Sequence, residues 1–148
     1  MKLHFVKEEN FNSEMKEFYM QQWPSANKEV FGFTEQSKWR MEEYLISARI
    51  HEEIIGVAQF RIIGGVGYLS TLLAKEEYRG KGVVGQSLLA KFESVAKENN
   101  CHKFGLKTYK DSRAYNFFKK QGYMEEGILL NDIHGIDWIM MAKFVKVG

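Results

Sequence analysis

Apolar positions along this chain repeat with two different periods, and the changes of period mark out the elements. From Leu88 onward, Leu88, Leu89, Phe92, Val95 and Ala96 recur at helical spacing, and Asn99–Asn100 can end that helix. The segment SARIHEEIIGVAQFRII reads instead as two strands around a turn at Glu52–Glu53. GGVG, residues 64–67, supplies a further turn before the strand YLSTLLA. Short strands joined by tight turns imply antiparallel pairing.

On either side of this centre the pattern is mixed. The only proline, Pro24, follows FYMQQW and is expected to end a first helix over Asn12 to Trp23. Thr34 or Ser37 could cap a second helix through Trp39, Met41, Tyr44 and Leu45. Beyond the central helix, HKFGLKT reads as a fifth strand. Asp111 or Ser112 caps a helix with the apolar face Ala114, Phe117 and Phe118, closed by Gly122. YMEEGILL and IDWIMMAKFV then form two strands around NDIHG. The order predicts a mixed α/β domain.

Composition narrows the class. The chain has 148 residues, 45% hydrophobic and 27% charged, as expected for one globular domain, residues 1–148. Its net charge of +2 comes from Lys and Arg scattered among Glu, which argues against nucleic acid. The single cysteine, Cys101, excludes an internal disulfide or CxxC pair and fits a reducing cytoplasm. MKLHFVKEEN lacks an apolar signal core, and no run approaches the ~18 apolar residues of a membrane span. A cytoplasmic location without membrane association is expected. His4, His51, His102 and His134 show no ligand spacing, so no metal is expected.

The stretch with the most chemistry is RGKGVVGQSLL, Arg79 to Leu89. Gly80, Gly82 and Gly85 spell G-x-G-x-x-G, but the context of a dinucleotide site is missing. Gly80 follows the polar KEEYR rather than a buried parallel strand, and no carboxylate occurs about 20 residues on. A P-loop fails as well, because Gly82 follows Lys81 where Ser or Thr is required. What remains is a phosphate-binding loop opening a helix. Backbone N–H groups at a helix N-terminus supply donors and positive potential. Glycines at 80 and 82 remove the Cβ atoms that would hold a phosphate away, and Arg79 and Lys81 add charge.

YLSTLLAKEEYRGKGVVGQSLLAKFESVAKENNCHKFGLKT resembles the central motif of the GNAT superfamily of N-acetyltransferases, and DSRAYNFFKKQGYMEEG resembles the motif that follows it. The element order on both sides is also similar. The resemblance implies a mostly antiparallel sheet splayed between strands 4 and 5, flanked by about four helices, and acetyl-CoA as cosubstrate. It implies that Leu72, Leu73 and Ala74 offer backbone groups to the pantetheine arm. Arg79, Gly80, Lys81 and Gly82 would hold the pyrophosphate with amides up to Val83, Val84, Gly85 and Gln86. The helix from Asp111, through Ala114, Phe117 and Phe118, would flank the thioester. A homodimer burying the C-terminal strands is common in the family.

Two departures from the pattern stand out. The family spacing Arg/Gln-x-x-Gly-x-Gly/Ala places Val84 where a small residue belongs, whereas the helix periodicity favours Gly85 and a one-residue insertion absorbed by a bulge. Phe118 stands where many members carry a tyrosine that protonates the departing thiolate. Ser70, Tyr115 and Tyr123 are weak candidates for catalytic work, Glu52 and Glu53 for the base. Asp132, His134 and Asp137 could meet a cationic amine, but fit solvated loop residues better. Phe18, Tyr19, Trp23, Phe31 and Phe33 make the N-terminal part aromatic, and most are expected in the core. The expected activity is N-acetylation of a primary amine by direct attack in a ternary complex, with no covalent intermediate on Cys101. The alternative is a coenzyme A-binding module without transferase activity.

Overall fold

The computed structural model describes residues 1–146. They form two compact units, Met1–Arg40 and the remainder from Met41. In the first unit, helix α1 runs Ser13–Phe31. The Asn12 side chain caps it by accepting from the Met15 amide, and Gly32, at φ 75°, closes it in the left-handed conformation. Pro24 does not end the helix but sits inside it. An internal proline costs about 3 kcal/mol, and strong caps at both ends work in the helix's favour against that local cost. The expected second helix is absent. Gln36–Trp39 makes a single 3-10 turn, where Trp39 packs on Phe31 and Phe33 with centroids 5.0 and 6.0 Å away. Contrary to expectation, Phe18, Tyr19, Trp23, Phe31 and Phe33 lie outside the buried core, and the first four are exposed.

The second unit is built on a six-stranded sheet. Its strands are β1 (Glu42–Ile50), β2 (Glu53–Ile63), β3 (Val66–Ala74), β4 (Lys103–Thr108), β5 (Met124–Leu129) and β6 (Trp138–Phe144). They lie in the order β1-β2-β3-β4-β6-β5. Met41, Tyr44 and Leu45, expected in a helix, belong to strand β1 or its approach. Half-buried Tyr44, Ile46 and Ala48 alternate with exposed Leu45 and Ser47, a period of two. Pairing with β2 from Glu42↔Ile62 to Ile50↔Glu53 satisfies the backbone groups that this edge strand turns toward the sheet. That requirement outweighs a short helical spacing. Gly64 and Gly65, at φ 56° and 80°, make the two-residue turn from β2 to β3.

Helices α2 (Val83–Glu98) and α3 (Arg113–Lys120) complete this unit. Three α-helices therefore stand among the described residues, not about four. Leu88, Leu89, Phe92 and Ala96 of α2 are buried, as their spacing predicts. The Phe92 ring meets Phe60 of β2 at 4.9 Å and Phe104 of β4 at 5.5 Å, so one aromatic contact spans sheet and helix. Burying such a side chain contributes roughly 1.5–3 kcal/mol.

All neighbouring strands pair antiparallel except β3 and β4. That parallel pair joins only Val66–Tyr68 with Lys103–Gly105. From Leu69 to Ala74, β3 has no partner on its β4 side, and the sheet opens. HKFGLKT is thus the fourth strand among the described residues rather than the fifth, since only β1, β2 and β3 precede it. The opening expected between strands 4 and 5 lies between β3 and β4. A bulge lies at its start: Gln59 pairs with Thr71 and Phe60 with Leu69, leaving Ser70 unpaired in the register.

Candidate functional site

The opened half of β3, the loop after it, the first turn of α2 and one face of α3 enclose a cleft of about 780 Å³. Leu72, Leu73 and Ala74 form its strand side. A 3-10 turn at Glu76–Tyr78 then reverses the chain, and Arg79 donates its Nε to the Ala74 carbonyl at 2.9 Å. The loop is thereby tied to the strand end that it follows.

Gly80 and Gly82 have φ of 76° and 77°, the left-handed region where a side chain is strained. Both line the cleft. Gly82 is the N-cap of α2, and no side chain caps the helix there. The first helical bond runs from the Gln86 amide to the Gly82 carbonyl at 2.9 Å, so the opening turn is a regular α-turn without a bulge. Amides ahead of it point out of the helix without an intrahelical partner. Gly85 faces the cleft, where a β-carbon would stand 3.5 Å from the Phe117 ring. Val84 is buried in the core instead, and Val83 is exposed.

Helix α3 supplies the opposite wall. Ser112 is its cap, accepting from the Tyr115 amide at 3.0 Å and donating to the Tyr109 carbonyl at 2.7 Å. Asp111, at φ 58°, lies just outside the helix. Ala114, Phe117 and Phe118 line the cleft, together with Arg113, Asn116, Lys120 and Gln121. Phe118 is mostly buried, with its ring edge-on to Phe117 at 5.1 Å and to Tyr123 at 5.6 Å.

Of the residues singled out for cofactor binding, eleven line the cleft: Leu72, Leu73, Ala74, Arg79, Gly80, Gly82, Gly85, Gln86, Ala114, Phe117 and Phe118. Lys81, Val83, Val84 and Asp111 do not. Tyr78, Arg113, Asn116, Lys120 and Gln121 were not anticipated. For three of them, Arg113, Lys120 and Gln121, the signal was present: once Phe117 defines the inner face of α3, residues three and four positions either side share it.

The catalytic candidates lie away from the cleft walls. Ser70 donates its hydroxyl to the Gln59 carbonyl at 3.0 Å, closing the bulge. The Tyr115 hydroxyl is bound to Glu125, and that hydrogen bond, with burial, raises its pKa. Tyr123 donates to Glu93 at 3.0 Å, and burial beside this carboxylate raises its pKa strongly. Burial also pushes the Cys101 thiol up, which makes it a poor nucleophile. Glu53 pairs with Lys75. Asp132 meets Lys107 at 3.4 Å and Asp137 accepts from the Asn131 amide at 2.8 Å, so both carboxylates serve the β5–β6 loop. No metal-ligating group of three or more side chains occurs among the described residues. No helix among them is long and apolar enough to cross a membrane.

A sheet that opens beside a glycine loop and an uncapped helix start defines an α/β protein suited to an extended, phosphate-bearing ligand. The acetyltransferase (GNAT) family profile matches residues 9–123, and the chain belongs to that family. A search of curated proteins finds no match. Among solved structures, an acetyltransferase from Bacillus cereus ATCC 14579 is 25% identical, with TM-score 0.69 over 95% of this chain and 98% of that one. A protein described as a streptothricin acetyltransferase from Bacillus anthracis strain Ames, solved with acetyl coenzyme A, is 22% identical (TM-score 0.63, 70% and 62% covered). The PaiA N-acetyltransferase from Thermoplasma acidophilum, in complex with coenzyme A, is 20% identical (TM-score 0.60, 90% and 80% covered). The last two likenesses concern the fold.

Proposed function

We propose that the protein is an N-acetyltransferase that moves an acetyl group from acetyl-CoA to a primary amine. The observation that carries this reading is the cleft itself: an unpaired β3 edge leads directly to left-handed Gly80 and Gly82 and the uncapped start of α2. These residues fit the donor in sequence. The open edge of β3 at Leu72 to Ala74, on the side away from β2, suits the amides of a pantetheine arm, as a strand edge suits any extended amide chain. The α2 amides at Val83 to Gly85, with Arg79, suit a diphosphate. Solved relatives with acetyl coenzyme A or coenzyme A support the same donor.

Acyl transfer then requires a nitrogen–carbon bond to form as the carbon–sulfur bond breaks, with the amine losing a proton and the thiolate leaving. An oxyanion is stabilised by a β3 amide near Leu73 or Ala74. Phe118 has no proton to give, so the thiolate leaves unprotonated, which a thiol of ordinary pKa near 8.5 permits. Nucleophile and donor meet in one ternary complex. The family match runs through both compact units, which supports a single functional domain over residues 1–148. A cytoplasmic homodimer without metal, membrane or nucleic-acid partner completes the proposal.

Calorimetry with coenzyme A and NADH, followed by a panel of amines with acetyl-CoA and thiol detection, tests it. Micromolar binding of coenzyme A and thiol release with at least one amine are expected. NADH binding without a response to coenzyme A overturns the reading. Coenzyme A binding without turnover on any amine favours a binding module, for which Phe118 in the cleft wall is the motivating observation.

A further inference from the structure

Helix α3 is eight residues long, Arg113–Lys120, and carries one wall of the cleft. A helix this short is marginal by itself, so contacts with the rest of the fold set where it stands. Its N-terminal half is fixed from several sides. Ser112 caps it and binds the Tyr109 carbonyl, and Tyr115 is hydrogen-bonded to Glu125 of β5. The Arg113 guanidinium reaches the glycine loop, with Nη1 3.8 Å from where a β-carbon on Gly80 would lie.

The C-terminal end is held by a different device. Lys143 of β6 donates from Nζ to the carbonyl of Gln121, the C-cap residue, at 3.1 Å. The same ammonium donates to both carboxylate oxygens of Glu93 on α2, each at 3.2 Å. Glu93 also accepts from the Tyr123 hydroxyl at 3.0 Å, and the Tyr123 ring stands edge-on to Phe118 at 5.6 Å. One ion pair thus joins α2, β6 and the end of α3. The Glu93 side chain is 14% exposed and that of Lys143 34%, against 62% and 41% for the surface pair of Glu53 with Lys75, so water screens it less.

Stability does not account for such a pair. A cation at a helix C-terminus is favourable, but the desolvation penalty of burying both ions offsets most of their attraction. What the pair supplies is direction. Hydrogen bonds weaken steeply with distance and angle, so these fix one position for Gln121. The apolar contacts of Phe117 with Gly85 and of Phe118 with Tyr123 are non-directional and tolerate sliding. Resting on the acetyltransferase reading, we propose that Glu93 and Lys143 are positioning residues: their ion pair pins the C-terminal end of α3 and so aligns Phe117 and Phe118 along the reacting end of the donor. Neither Glu93 nor Lys143 lines the cleft, and neither is bonded to the glycine loop or to the open edge of β3. Their task is therefore geometry in the ternary complex rather than donor affinity. Misplacing a group at a reacting centre by about 1 Å lowers a rate by as much as ~10²-fold.

The double variant Glu93→Gln/Lys143→Met tests the proposal, because it removes both charges, leaves an acceptor for Tyr123 and strands no lone ion. Its denaturation midpoint should stay near the native value. With an amine that the native protein acetylates, kcat should fall about ten- to a hundred-fold, while KM for acetyl-CoA and the calorimetric affinity for coenzyme A change by less than about threefold. Lys143→Arg, which keeps a cation opposite Glu93, should retain most of the rate. Amide hydrogen exchange reads the pinning without an acceptor: protection of residues 113–121 should fall in the double variant and that of β2 should not. Native kcat in the folded double variant overturns the proposal. So does a proportionate loss of kcat and donor affinity, or unchanged protection of α3. Should the double variant fold poorly, the single Glu93→Gln chain is read by the same split between kcat and KM. A wild-type protein that neither binds coenzyme A nor turns over any amine defeats the acetyltransferase reading itself, whereas exchange at α3 still decides whether the pair pins the helix.

Discussion

The backbone of Gly56 lies against the side chain of Val84: a β-carbon on Gly56 would come 2.7 Å from Val84 Cγ1. It would also stand 2.9 Å from Leu88 Cδ1 and 3.1 Å from the Leu73 carbonyl. Strand β2 thus sets how closely the first turn of α2 approaches the sheet, and with it where the glycine loop stands relative to β3.

Gly56→Ala should destabilise the protein by about 1–3 kcal/mol, the usual cost of overpacking a filled site. Chemical denaturation measures it. Because α2 would have to shift, coenzyme A affinity should fall as well. An unchanged midpoint would show that this close approach is not a constraint.

Gly82→Ala tests the loop. There is room for the new methyl, since the Gln86 side chain is 3.4 Å away, so the penalty comes from φ 77°. Placing an L-residue in that conformation costs about 1–2 kcal/mol. Stability should drop by that amount, and coenzyme A affinity should drop further because the methyl projects beside the phosphate cradle. A folded variant with native affinity would remove Gly82 from the binding site.

Phe118→Tyr should raise turnover several-fold with poor acceptors while leaving the Michaelis constant for acetyl-CoA nearly unchanged. General acid catalysis is worth about 10²–10⁴-fold when proton transfer limits the rate. The gain here should be smaller, since a thiolate leaves readily. Steady-state kinetics at fixed amine concentration decide it. No change with any amine would mean that the Phe118 position does not approach the leaving sulfur.

Tyr123 predicts an alkaline instability. Burial beside Glu93 holds the phenol protonated in the folded state above its ordinary pKa, near 10. The unfolded chain therefore binds fewer protons than the native one at high pH, and stability falls as pH rises above about 10. Denaturant midpoints from pH 9 to 11 should fall less steeply in Tyr123→Phe than in the native protein. Equal slopes would show that this tyrosine does not carry the effect.

Local chemistry made some features legible in the sequence alone. The α2 stripe, a turn within GGVG at residues 64–67, a cap at Asp111 or Ser112 and the glycine loop each depend on neighbours within one turn or hairpin, where spacing and φ preference are decisive. Pro24 and the segment Met41–Leu45 misled for the same reason. Each was weighed locally, whereas capping at Asn12 and Gly32 bears on the one and pairing with β2 on the other. The sequence could not separate Val84 from Gly85 at the loop; the contact between Val84 and Gly56, 28 residues earlier, turns Val84 inward and leaves Gly85 at the cleft. Nor could it bring Arg113 to Gly80. That meeting depends on β4 leaving β3 after Tyr68, because only an opened sheet admits α3 beside the loop. Long-range pairing and packing decide such contacts, and no periodicity along the chain records them.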